Sequence, residues 1–324
     1  MQETGLLTQA ALRQSPGMTK SDFRSLPDTP CFTVASADGA ELPVYALDGP
    51  AGAPSLLFGH ANGLAAGSYA PWLRALAQHF AVFAFDARGH GGAHWPEGPL
   101  DRVFHVDRFA DDLARIAAAV AARRAAPLHY AGHSLGAAAA LSLAGRDGAL
   151  PWACTVLFEP PVFPPPDSPH RAEAERMQTP LIERSATRRA RWESPEAMFE
   201  VLSERGVFAR FRPDLLAAHC RATLRPLPEG DFTLACPPAI ESAIFRAHRV
   251  ADTWQHLAPV QSPIRLVSGD PALPERGWVS AVMPDMAAAL GAALTVLPGA
   301  GHMMICEQPE ICRDLLLEAL EAPG

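Results

Sequence analysis

The stretch Leu128-His129-Tyr130-Ala131-Gly132-His133-Ser134-Leu135-Gly136-Ala137-Ala138-Ala139-Ala140 decides how the chain folds. Its apolar opening reads as a short buried strand and its alanines as the start of a helix, so Ser134 falls in the turn between them. A strand that reverses abruptly into a helix holds its middle residue in a strained conformation, in which side chains two positions to either side collide. Glycine at 132 and 136 removes those side chains. The hydroxyl of Ser134 is then exposed above the sheet edge. The amide of Leu135, in the first helical turn, faces the same space with the positive end of the helix dipole behind it. Gly132-His133-Ser134-Leu135-Gly136 is read as the G-x-S-x-G elbow of a serine nucleophile.

Outward from this turn, strands and helices alternate. Upstream, Cys31 to Ala35 and Glu41 to Ala46 read as antiparallel strands joined at Asp38-Gly39, a hairpin signal. Pro54 to Phe58 is a strand ending in His60-Ala61-Asn62-Gly63-Leu64, and Ser68 to His79 is a helix with Ser68 as its cap and Pro71 in its first turn. Ala81 to Phe85 is the next strand, closed by Asp86-Ala87-Arg88-Gly89-His90-Gly91-Gly92. Asp107 to Arg124 is a helix with Phe109, Leu113, Ile116 and Val120 on one face. Downstream, Trp152 to Phe158, Ile264 to Ser268 and Ala293 to Leu297 read as strands, with helices over Val279 to Leu290 and Glu307 to Leu320.

This alternation predicts an α/β fold with a doubly wound, mostly parallel sheet and an antiparallel start. Residues 160–255 interrupt it. They are rich in proline and arginine, with helical patterns over Arg171 to Thr179, Pro195 to Glu204 and Pro213 to Cys220 and no convincing strand. The expected organisation is an N-terminal arm over 1–30, a core from 31–159 and 256–324, and an inserted helical lid over 160–255. Such a lid overhangs the carboxyl ends of the strands, where open α/β sheets bind ligands.

Composition narrows the partners. The chain has 324 residues, of which 48% are hydrophobic, and a formal net charge of −8. That balance argues against nucleic acid or an anionic membrane as the main partner. The cysteines at 31, 154, 220, 236, 306 and 312 are scattered without a C-x-x-C pair, which argues against a disulfide framework or zinc site. No signal peptide or membrane-length apolar run is read, so the expectation is a soluble, cytoplasmic protein without stable membrane insertion. Gly5 to Leu12 reads as a short amphipathic helix packed on the domain or on a partner, and the reading admits a homodimer.

A serine hydroxyl needs a base within hydrogen-bond reach and an acid to orient that base. Of the twelve histidines, His302 in Pro298-Gly299-Ala300-Gly301-His302 follows the last strand, where flexible glycines let it fold back toward Ser134. His133 and His60 are read as structural. The second oxyanion donor is assigned to the amide of Asn62, beside that of Leu135, because Ala61 and Gly63 let the loop approach a substrate closely. Two positions compete for the acid. Asp270, with Glu275 further on, lies in the loop after Ile264 to Ser268, the usual place. Glu159 ends a buried strand, is fixed by Pro160 and Pro161, and needs a partner to offset its desolvation. Asp270 has local reasons to be a turn residue. Glu159 is favoured, with Asp270 as the alternative.

Taken together, His60-Ala61-Asn62-Gly63, the Asp86 to Gly91 turn, the elbow and Gly301-His302 resemble the α/β-hydrolase superfamily over most of residues 31–320 apart from the lid. The H-A-N-G form resembles a lipase- and esterase-like subgroup of bacterial hydrolases related to fungal peroxisomal lipase-like and acyl-CoA hydrolase proteins. In that subgroup, and in zearalenone lactonases, the acid tends to follow the strand after the elbow, which implies Glu159. The loop bearing Asp270 lacks the family's common G-x-x-D spacing, and Ala93 stands where a serine often follows the R-G-x-G turn. With serine as nucleophile, the resemblance implies acyl chemistry; the expected substrate is a small ester with an apolar acyl group, or a thioester or lactone, and no metal or organic cofactor is expected. Its rivals are a C–C hydrolase or cofactor-free perhydrolase on the same triad, and a non-catalytic ligand-binding protein. Lid arginines 184, 188, 189, 191, 205, 210 and 212 are candidates to hold an acidic substrate, against the plainer reading as solvated faces. Phe163, Trp192, Met198, Phe199 and Phe208 are candidates for an acyl pocket or for lid packing.

Overall fold

A computed structural model describes residues 26–260, 262–273 and 277–321. Gly5 to Leu12 and Glu275 lie outside them. In chain order the strands are β1 (Phe32–Ala35), β2 (Glu41–Leu47), β3 (Ser55–Gly59), β4 (Ala81–Phe85), β5 (Leu128–His133), β6 (Thr155–Phe158), β7 (Arg191–Trp192), β8 (Leu224–Pro226), β9 (Phe232–Leu234), β10 (Ile264–Ser268) and β11 (Ala293–Val296). The helices are α1 (Ala70–Leu76), α2 (Leu100–Val103), α3 (Val106–Ala121), α4 (Leu135–Asp147), α5 (Arg171–Ala186), α6 (Pro195–Leu202), α7 (Pro213–Ala222), α8 (Pro238–Val250), α9 (Trp278–Leu290), α10 (Met304–Glu307) and α11 (Pro309–Glu321).

The main sheet runs β1-β2-β4-β3-β5-β6-β10-β11. Strand β2 is antiparallel to β1 and β4, and the remaining neighbours are parallel. The result is the doubly wound, mostly parallel sheet with an antiparallel start that the alternation predicts. Its register matters most at the carboxyl edge. Gly59 lies opposite Gly132, His133 opposite Phe158, and Phe158 opposite Val267. The residues that follow β3, β5, β6 and β10 therefore leave the sheet side by side.

The layers follow from the apolar patterns. On α3, Phe109, Leu113, Ile116 and Val120 are buried as their spacing predicts, in one core cluster with residues of α4 and α9. The opposite cluster joins Trp72 and Leu73 of α1 to Cys312 and Leu316 of α11. Alanine lets α4 sit close to the sheet. A Cβ on Gly136 would overlap the carbonyl oxygen of Gly59, and one on Gly132 would lie 2.8 Å from the amide of Ala137.

Three expectations change. The chain between β6 and β10 holds α5 to α8 together with a small antiparallel sheet, β7-β9-β8, where no strand is read from sequence. These strands are too short to show alternation; the Pro228-Glu229-Gly230-Asp231 turn, with Gly230 at φ +96°, is the signal for the β8–β9 hairpin. Helix α5 continues past Thr179 through Pro180. The helix expected from Ser68 opens with a 3-10 turn over Ala66–Tyr69 and becomes α-helical only at Ala70. Ser68 does not cap α1. Its Oγ accepts from the amide of Ala65 at 3.1 Å.

Candidate active site

The elbow forms at the end of β5. Ser134 has φ 51° and ψ −110°, and its amide donates to the carbonyl of Phe158. It occupies the N-cap position of α4, yet its side chain makes no cap hydrogen bond. Instead the hydroxyl lies 3.0 Å from Nε2 of His302. The other ring nitrogen, Nδ1, lies 2.7 Å from Oε2 of Glu159. Ser134 is 5% exposed and Glu159 1%.

Glu159 follows β6 with φ 42°, so two site residues are the non-glycine positions of positive φ among the described residues. Its second oxygen, Oε1, accepts from the amide of Gly269 at 2.7 Å. The loop that sequence reading expects to offer a carboxylate thus offers a backbone N–H. Glycine is required there, because a Cβ at 269 would lie 2.8 Å from the carbonyl of Ala300 and 3.0 Å from Glu159 Oε1. Asp270 does not reach His302. Its carboxylate accepts from the amides of Gly299 at 2.9 Å and Ala272 at 2.8 Å, and the first of these does most to hold its pKa down.

The loop of His302 is less free than its glycines suggest. Gly299 donates to Asp270, and its carbonyl accepts from Arg210 Nη2. The amide of Asp270 donates to Ala300, while Gly301 donates to Glu307 Oε2 at 2.9 Å. Arg210 also binds that Glu307 oxygen, at 2.7 Å. The carbonyl of His302 accepts from His133 Nε2 at 2.8 Å. Sequence reasoning does not reach these roles of Glu307 and His133; a carboxylate five residues past His302 is the signal for the first.

The H-A-N-G loop faces the elbow across β3. His60 is satisfied: Nδ1 donates to Ala61 O at 2.8 Å and Nε2 accepts from the amide of Ala87 at 2.9 Å. The carbonyl of His60 accepts from Gly136 N at 3.1 Å, which joins this loop to the elbow. Gly63, at φ +75°, donates to His90 Nε2 at 3.0 Å. The side chain of Asn62 donates to the carbonyl of Glu241 at 3.1 Å. Leu135 is the first residue of α4, directly after Ser134, and Asn62 lies in the loop after β3, whose His60 carbonyl is bonded to the elbow at Gly136.

The Asp86 to Gly92 turn is scaffold. Asp86 accepts from the amides of Ala66 and Gly92 and from Tyr45 Oη. Arg88, fully buried, binds Asp112 of α3 at 2.7 Å and Asp38 of the β1–β2 hairpin at 2.8 Å. Among the arginines between β6 and β10, Arg191 pairs with Glu229 and Asp231, and Arg212 with Asp214 and Glu310. Arg188 binds Glu241 at 2.6 Å beside Gly63, where burial pushes the Glu241 carboxyl upward in pKa. Phe163 packs on Trp278 of α9 in the first core cluster, and Trp192 and Met198 are buried in the second, so core packing accounts for these three.

Fold and site together define the class. The family model described as "Alpha/beta hydrolase family" matches residues 56–315, and the chain belongs to that family. Among solved structures it is similar to E-2-(acetamidomethylene)succinate hydrolase, with 22% identity and TM-score 0.72 over 90% of this chain and 99% of that one. It is also similar to the enol-lactonase of Burkholderia xenovorans LB400, with 19% identity and TM-score 0.65 over 90% and 100%. A third is the peroxisomal alpha-beta-hydrolase Lpx1 of Saccharomyces cerevisiae, with 17% identity and TM-score 0.65 over 93% and 88%. A search of curated proteins found no match. Among the described residues no helix is long and apolar enough to cross a membrane.

Proposed function

We propose that the protein is a serine hydrolase cleaving a carboxylic ester, or the related thioester or lactone, through an acyl-enzyme. One observation carries the reading: the His302 ring is engaged on both sides at once, by Ser134 Oγ at 3.0 Å and by Glu159 Oε2 at 2.7 Å. Glu159 keeps the proton on Nδ1, so Nε2 is free to take the proton of Ser134 as Oγ attacks the carbonyl carbon. The electron pair displaced onto the carbonyl oxygen meets the amides of Asn62 and Leu135. Collapse expels the alcohol, which leaves with the proton held by His302. Water then repeats the sequence on the acyl-enzyme, giving its proton to His302, and release of the acid restores Ser134. Every step uses side chains and amides of this chain, and the scheme needs no metal or organic cofactor.

The preferred substrate in this reading is small, neutral and apolar in its acyl part. Arg188 is the lid arginine paired beside the oxyanion loop, and Glu241 already offsets its charge. An acidic substrate there would have to compete with a carboxylate 2.6 Å away. The hydrolase and enol-lactonase among the structural neighbours support acyl chemistry.

Incubation with a fluorophosphonate probe tests the proposal. The expected result is labelling of the intact protein that disappears in Ser134→Ala. Absence of labelling in folded wild-type protein would refute it and favour a non-catalytic ligand-binding role.

A further inference from the structure

One chain of hydrogen bonds runs from the loop after β3 to the loop after β11 through two buried side chains that touch neither reacting atom. The amide of Ala61 lies 3.3 Å from Tyr69 Oη, that oxygen lies 2.6 Å from His133 Nδ1, and His133 Nε2 lies 2.8 Å from the carbonyl of His302. Its direction is fixed by what each group can do. An amide only donates, so Tyr69 accepts from Ala61 and spends its one proton on His133 Nδ1. That nitrogen must then be an acceptor, which puts the ring proton on Nε2, and a carbonyl only accepts. A single neutral tautomer of His133 satisfies all three bonds.

Both side chains are fully buried. Burial, with the neighbouring His302 second, holds the His133 pKa at about 3, so the ring stays neutral at working pH. Its centroid lies 5.3 Å from that of His302, and a neutral ring there does not oppose a positive charge on its neighbour. The two ends are what make the chain informative. One is the carbonyl of His302 itself, and the other is the amide next to Asn62. The elbow residue between Gly132 and Ser134 therefore ties together the two loops that flank the nucleophile.

We propose that Tyr69 and His133 form a positioning relay that sets the spacing between the Asn62 amide and the His302 ring around Ser134. This rests on the reading of Ser134 as nucleophile and His302 as base. The relay holds backbone on both sides, so it acts on the geometry of the reaction and leaves substrate affinity to the lid.

The test uses the full chain, p-nitrophenyl butyrate as substrate and the fluorophosphonate probe. In Tyr69→Phe, kcat is expected to fall roughly tenfold to a hundredfold, with KM within about twofold, because small displacements of catalytic groups cost rates of this order. Labelling of Ser134 should slow in parallel. His133→Gln, whose amide N–H can still reach the His302 carbonyl, should keep more of kcat than His133→Leu. Folded Tyr69→Phe with kcat and labelling rate within twofold of wild type overturns the relay, as does a loss confined to KM. Imidazole 15N shifts of the wild-type protein give a readout independent of catalysis and of whether a variant folds. The proton must sit on His133 Nε2 and stay there down to pH 5, and a proton on Nδ1 overturns the relay. A wild-type protein that shows this tautomer but fails to label would count against the hydrolase reading alone.

Discussion

Two carboxylates are candidates in the sequence for one histidine, and the backbone around them separates their positions. Glu159 is buried, receives one amide hydrogen bond from Gly269 and turns its other oxygen to His302. Asp270 is spent on two backbone amides. Glu159→Gln should therefore lower kcat by about 10³- to 10⁴-fold, because an amide in place of the carboxylate favours the wrong imidazole tautomer. Asp270→Asn, which keeps one acceptor oxygen, should stay within about threefold of wild type under the same steady-state assay. The reverse ranking would move the orienting role to Asp270. Glu159 is legible in the sequence because an acid that ends a buried strand needs a partner. The amide of Gly269 is not, since nothing in a glycine codon states that its N–H will meet a carboxylate from a strand more than a hundred positions earlier. For the same reason His133 is legible as structural, while the carbonyl it binds is fixed only by tertiary packing.

Loops that carry Gly-rich sequence need not be loose. Residues 299–302 have their polar backbone groups held by Asp270, Arg210, Glu307 and His133, from four different segments of the chain. The 3-10 segment Gly206–Arg210, between α6 and α7, thereby braces the loop of His302. Arg210→Gln is expected to lower kcat several-fold with little change in KM, since it loosens the base rather than the substrate pocket. Kinetics on a neutral ester would decide it, and an effect on KM alone would contradict it. At the elbow the constraint is steric. Gly136→Ala places a methyl group against the carbonyl of Gly59. The variant should lose about 1–3 kcal/mol in urea unfolding, the usual range for overpacking. The long strands and the amphipathic α3 are legible because their periodicity extends over many residues. The strands β7, β8 and β9 are two or three residues long and exist through pairing with one another.

The folded molecule also stores neutral histidine. His60, His90, His133, His219 and His248 are all buried, and burial is the leading cause that lowers each pKa, to about 3 for His133 and His219 and about 4 for His248. Unfolding exposes these rings to water, where they bind protons below pH about 6.5. The unfolded state then holds more protons than the native one, so stability is complete above that pH and declines as pH falls toward 4. His133, His219 and His248, whose native pKa values lie at about 3, 3 and 4, each contribute about 1.4 kcal/mol of loss per pH unit in this window. Tm should drop by several degrees, about 5–10 °C, between pH 7 and pH 5, as read by thermal melts at constant ionic strength. A flat profile would mean that these rings are already protonated in the native state. The two left-handed positions, Ser134 and Glu159, have a different consequence for the whole chain. A conformation of this kind costs on the order of 1–3 kcal/mol in any residue but glycine. Selection for heat resistance alone would therefore replace Ser134 and Glu159 with glycine, and a stability screen run without any substrate would single out the same two positions as an assay of reactivity.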